Sequence, residues 1–222
     1  MAKTNVVVFG ASGHARVVCD VIRKQGDFNL LGLVDKATDQ IGNLGEYPIL
    51  GRDDELPSLM RKYDVSCGII GIGDNWLRAQ VANRILSMAP DFKFISAIHP
   101  SAQIGQYVKI APGTTIMANV VLNCSSVTGR HTIINTSSSL DHDCVLGDFA
   151  SIAPGCTVGG SVEIGHYSFI GLGANIVHNI HIGDFTVVGA GSTVLNDLPD
   201  QSVAYGTPAK VVRKYQQGER YL

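Results

Sequence analysis

Residues 140–164 read LDHDCVLGDFASIAPGCTVGGSVEI, with Leu140, Leu146, Ile152, Val158 and Ile164 six positions apart. Extended both ways, this register runs from Ile104 to Val194, and fifteen of its sixteen positions are aliphatic, Thr128 being the exception. Four residues after each of them, from Val108 to Ser192, stands a small or β-branched residue, Ile180 being the largest. The residue just after the aliphatic one is often Gly, Asn, Asp or Ala, as at Gly105, Asn123, Gly147, Gly165 and Gly183. The period is not helical, and a fixed short period is the mark of a solenoid. It fits a parallel β-helix in which each hexad is one short strand and a turn, and three hexads close an 18-residue coil. The aliphatic residue fills the axis and the small one packs beside it. The Gly, Asn and Asp positions are expected to take the unusual φ angles of the turns.

This register decides how DHDC, residues 141–144, is read. A histidine between two aspartates, followed by a cysteine, is compatible with a metal site, a base or a surface turn. With Leu140 on the axis, Cys144 and Cys156 fall at the small interior position and point inward, away from any shared metal. His142 and Asp143 are expected to project outward from a flat face, and Asp141 to form the turn. Residues 18 apart stack on successive coils, so Cys124 and Gly160 flank His142, with His178 one coil further. The glycine leaves room for a ligand beside the ring. The same map stacks His131 with Phe149, Tyr167 and Phe185, and sets His166 in the column Arg130–Asp148–His166–Asp184; both read as structural.

Residues 1–98 have another grammar. Val6–Phe9, Leu30–Val34 and Cys67–Ile72 read as strands; 15–24, with Val17, Val18, Val21 and Ile22 on one side, and 77–88 read as helices. Alternating β and α predicts a parallel sheet with ligand-binding loops at the strands' C-terminal ends. GASGH, residues 10–14, ends the first strand and opens a helix, a position suited to phosphate. Asp35 ends the second strand, where dinucleotide folds place a ribose-binding acid. The spacing is GxxG, with Ser12 where G-x-G-x-x-G has its second glycine, so a plain tight turn competes with a nucleotide site.

The 222 residues carry a net charge of -2 and are 45% hydrophobic and 16% charged, a soluble composition with no basic footprint for nucleic acid or an anionic membrane. Five cysteines without a CxxC pair indicate neither a disulfide framework nor a zinc ribbon. The short apolar run in MAKTNVVVFG is too brief for a signal peptide or a membrane span, and the expected compartment is the cytoplasm.

The hexads, from about residue 99 to 210, resemble the hexapeptide-repeat acyltransferases, and that resemblance implies a left-handed β-helix. The pairing of the two halves resembles one branch, the nucleotide-sugar N-acetyltransferases and their sialic acid O-acetyltransferase relatives. The stretches that carry it are VVVFGASGHARVV, VDK, IGIGDN, AIHPSA, INTSSSLDHDCVLGDFASIAPG, FIGLGANI and YGTPAKVV, nearly the full length. The resemblance implies a Rossmann-like nucleotide-sugar domain over 1–98 and a β-helix acetyltransferase domain with a C-terminal tail over 99–222. It implies a homotrimer with acetyl-CoA lying between β-helices. It assigns Ser12, Gly13, His14, Asp35, Lys36 and Gly73 to the sugar nucleotide, Asn135 to the acceptor, His142 as general base and Asp143 as its acid partner. Ser151, Gly160, Leu172 and Ala190 match coenzyme positions, Ser151 standing where some members have a histidine. No metal is implied.

The implied reaction is acetyl transfer to the 4-amine of a UDP-, GDP- or dTDP-linked aminodideoxysugar. O-acetylation of a sugar such as sialic acid is the alternative. A β-helix binding protein, or a γ-class carbonic anhydrase using His142, His166 and His178, stands further off.

Overall fold

The structure is a computed structural model that describes residues 3–36 and 43–220. The first half holds β1 (Thr4–Phe9), α1 (Gly13–Gln25), β2 (Phe28–Val34), β3 (Asn43–Leu44), β4 (Tyr47–Gly51), α2 (Leu56–Tyr63), β5 (Cys67–Ile70), α3 (Asn75–Met88) and β6 (Lys93–Phe94). They form one sheet in the order β3-β4-β2-β1-β5-β6, parallel except for the β3–β4 pair. The chain runs outward on both sides of β1, which makes the β1/β5 edge the switch point where such sheets bind ligands. α1 is capped by Ser12, whose Oγ accepts from Ala15 N, and it ends at Gly26 with φ 80°. Val18, Val21 and Ile22 are buried, but Val17, expected on the same side, is exposed. Its 100° offset from Val18 turns it to solvent.

From Ala97 to Val194, two-residue strands at six-residue intervals stack into three parallel ladders, the parallel β-helix that the hexads predict, left-handed as the family resemblance implies. Ala97–Ile98 pair with Thr115–Ile116, so the first coil already begins there. Axial residues such as Ile116, Leu122, Leu140, Ile152 and Ile170 have no solvent exposure. Thr128 stays buried on the axis because its Oγ1 accepts from Ala111 N at 3.2 Å and lies 3.4 Å from Thr114 Oγ1.

The turns differ from expectation in one respect. Positive φ falls not on the residue just after the axial one but on the third residue after it, at Asn119, Ser125, Ser137, Asp143, Ser161 and Asn179, with Gly155, Gly173 and Gly191 in register. That geometry aims the N–H at the coil before: Asp143 N donates to Cys124 O at 3.0 Å and Ser161 N to His142 O at 2.9 Å. Gly105 and Gly147 are small for a steric reason. A Cβ there would lie 2.6 Å from the backbone nitrogen of Cys124 or His166 on the adjacent coil.

The halves share a seam. The column His131, Phe149, Tyr167, Phe185 stacks with centroids 4.9, 5.2 and 4.6 Å apart, and Phe94 and Trp76 pack against it. Arg78 of α3, 1% exposed, is the clamp. It donates to Ile72 O and Gly73 O on its own side, and to His131 O, Phe149 O and Ser151 Oγ on the β-helix, all between 2.8 and 3.0 Å. Arg78→Met is expected to cost roughly 3 kcal/mol or more, since each stranded buried acceptor costs about 1–3 kcal/mol. Denaturant unfolding measures this, and a loss below about 1 kcal/mol would contradict the clamp.

Candidate active site

The three corners of the β-helix have different chemistry. One carries the aromatic column and, beside it, Arg130–Asp148–His166–Asp184. Arg130 pairs with Asp148 at 2.8 Å, Asp148 N donates to His166 Nδ1 at 2.9 Å, and His166 N donates to Asp184 Oδ1. His166 is thus engaged on a different corner from His142. Among the described residues no cluster of His, Cys, Asp or Glu is arranged to hold a metal ion.

The second corner carries His142 and Asp143, which lie in the turn itself rather than on the expected flat face. The turn follows from the αL residue Asp143, which bends the chain and swings both side chains to solvent. His142 Nδ1 meets Asp143 Oδ2 at 2.8 Å. A carboxylate there keeps the proton on Nδ1 and leaves the Nε2 lone pair outward. That hydrogen bond, opposed in part by desolvation and aided by the charges of Asp141 and Asp143, raises the His142 pKa above its ordinary value. The ring lies over Gly160, where a Cβ would come within 2.6 Å of Nε2. Asp141 is more than a turn former: its Oδ1 accepts from His142 N at 2.8 Å and from Asn123 Nδ2 at 3.0 Å, bracing the base from the coil below. Sequence reasoning missed this brace, although Asn123 and Asp141 are 18 apart and stack on the register.

The third corner is apolar and open, with Leu172 and Ala190 exposed one above the other. Against its inner edge lies a cavity of about 200 Å³ that joins the two halves. Its walls bring together His14, Gly73, Asn135, Ser151 and Leu172, five of the residues singled out from sequence. His142 is not among them. His14 Nε2 is buried with no hydrogen-bond partner among the described residues. Burial, with the Arg78 charge adding to it, lowers the His14 pKa to about 4, so the ring is neutral. Ser151 is 3% exposed and its hydroxyl is spent on the seam, donating to Asn75 Oδ1 at 2.6 Å and accepting from Arg78. A coenzyme contact through that hydroxyl is not what the geometry offers, because the polar atom faces the clamp.

A smaller cavity, of about 150 Å³, opens at the C-terminal edge of the sheet beside Gly10, Asp35 and Lys36. Asp53 and Arg84 line it too. Neither stood out in the sequence: Asp53 lies between β2 and β5, where there is no strong period, and Arg84 lies within α3. Ser12 and Gly13 lie at the α1 N-terminus outside its walls. A Cβ on Gly13 meets nothing within 4 Å, so a side chain there would obstruct a ligand rather than the turn.

Known proteins match this architecture. Residues 5–85 match the PglD N-terminal domain family. A mutant of GDP-perosamine N-acetyl transferase from Caulobacter crescentus, in complex with CoA and GDP-perosamine, superposes with a TM-score of 0.88 at 37% identity, over 96% of this chain and 99% of that one. The acetyltransferase domain of PglB from Neisseria gonorrhoeae, in complex with acetyl coenzyme A, superposes with a TM-score of 0.86 at 30% identity, over 95% and 100%. UDP-N-acetylbacillosamine N-acetyltransferase of Bacillus subtilis is 32% identical over 114 residues, and that match spans 51% of each chain. No helix among the described residues is long and apolar enough to cross a membrane. With near-complete coverage of both halves in one chain, the protein belongs to the nucleotide-amino-sugar N-acetyltransferase family.

Proposed function

We propose that the protein transfers the acetyl group of acetyl-CoA to the 4-amine of a nucleotide-linked aminodideoxysugar. The observation that carries this reading is the cavity between the two halves. It sets His14 and Gly73, beside the phosphate-suited turn, against Asn135 and the apolar corner of Leu172. A sugar tethered through its nucleotide to the first half would reach its amine into that cavity, and a pantetheine arm would lie along Leu172 and Ala190.

The neutral amine attacks the thioester carbon, the C–S bond breaks, and His142 Nε2 takes the amine proton and returns it to the thiolate sulfur. Asp143 holds the ring and stabilises the imidazolium. Ser161 N–H is committed to His142 O, so the Gly160 N–H is the donor assigned to the developing oxyanion. His142 and the cavity occupy different corners, separated by a full face of the β-helix. A working site therefore joins the cavity of one chain to His142 of the partner subunit, which calls for a cyclic trimer with three equivalent sites. Exposed Val145 and Val177 suit such an interface, whereas Val187 is buried and packs within the chain. Light scattering is expected to return a trimer; an active monomer would end the composite site.

The base works only when neutral, so turnover rises with pH through the His142 pKa. Asp143 raises that pKa, and Asp143→Asn is expected to move the acid limb of the kcat profile to lower pH while lowering its plateau. An acid limb that stays or moves up would contradict the pairing. The product decides the chemistry: an amide that survives hydroxylamine supports transfer to nitrogen, and a hydroxylamine-labile ester would establish O-acetylation instead.

A further inference from the structure

We propose that Asp53 and Arg84 read the nucleobase of the sugar nucleotide and select guanine over uracil and thymine. This assignment rests on the nucleotide-sugar reading above and deepens it.

The cavity beside Gly10 is lined by the apolar Ile72, Leu77 and Val81 and by four charged residues, Asp35, Lys36, Asp53 and Arg84. Asp53 is 6% exposed, an uncommon situation for a carboxylate against an apolar wall. It comes from the short turn between β4 and α2, and its Oδ2 pairs with Arg84 Nη2 from α3. Among the described residues no group bonds its Oδ1. Arg84 Nε is buried and likewise has no hydrogen-bond partner among them. Both residues line the cavity, and the paired carboxylate keeps one acceptor that no described residue fills.

A flat ring with apolar faces and a polar edge suits that shape. Guanine offers an exocyclic amine, a ring N–H and a carbonyl in sequence. Its two donors face the carboxylate while its carbonyl faces the guanidinium. Uracil and thymine offer a carbonyl, one N–H and a second carbonyl. Placing their N–H on Asp53 sets a carbonyl lone pair against the carboxylate charge and leaves an acceptor without a donor. A matched pair of this kind discriminates between bases by about 10- to 100-fold.

Calorimetry of the full-length protein with GDP, UDP and dTDP tests the assignment, with acetyl-CoA titrated into each variant to report folding. GDP is expected to bind at least about 10-fold more tightly than UDP or dTDP. Asp53→Asn keeps the shape but sets an amide donor against guanine's donors. It should weaken GDP by about 10- to 100-fold, change UDP by less than about 3-fold, and leave acetyl-CoA affinity intact. UDP or dTDP binding as tightly as GDP in the unaltered protein would overturn the proposal without touching the acetyltransferase reading. So would an Asp53→Asn variant that keeps its preference for GDP. Failure of all three nucleotides to bind would overturn both.

Discussion

Replacing His142 with alanine is expected to lower kcat by about 10²- to 10⁴-fold, the usual contribution of a positioned general base. The KM for acetyl-CoA should change little, because the ring is assigned to the amine proton and not to the coenzyme. The side chain projects from a turn and is half exposed, so its removal leaves no cavity in the β-helix. Steady-state kinetics on both substrates, with thermal unfolding alongside, separates a catalytic loss from a folding defect. Turnover within about threefold of the unaltered protein would remove His142 from the mechanism.

Gly160→Ala should be nearly as damaging for a different reason. Position 160 has no positive φ, so the backbone accepts alanine. The new Cβ, however, would stand 2.6 Å from His142 Nε2 and 2.7 Å from Cε1, inside van der Waals contact. The ring must swing away, taking the catalytic lone pair from its line to the amine. A displacement on the order of 1 Å is enough for about a 10²-fold loss of rate. Thermal stability should stay close to that of the unaltered protein, since the displaced group is exposed. Full activity would show that His142 works from an orientation other than the one it holds over Gly160.

How far the sequence could be read depended on repetition. Each axial residue is constrained by identical neighbours above and below, so the hexad register survived ninety positions and carried Cys144, Cys156 and the two stacked columns with it. The 18-residue map also put Gly160 beside His142 correctly. Corner geometry was harder, because positive φ is borne by serine, asparagine, aspartate and aromatic residues whose identities do not announce it. The β-helix side of the seam showed in the 18-residue period as the aromatic column, but what the first half sets against it left no periodic trace. Arg78 reads in sequence as an ordinary helix-surface arginine, and only docking of α3 on the β-helix buries it. Ser151 stood out in the sequence, but not as a partner of that arginine. Asp53 and Arg84, 31 residues apart, meet only once α3 packs across the sheet edge.

The most direct test of direct acetyl transfer is thiol release from acetyl-CoA in the presence and absence of a nucleotide-linked 4-aminosugar. The account predicts no release with acetyl-CoA alone, and release matched one for one by amide once the sugar nucleotide is added. A burst of thiol from acetyl-CoA alone would show an acylated chain, and no release with any nucleotide-linked aminosugar would contradict the assignment itself.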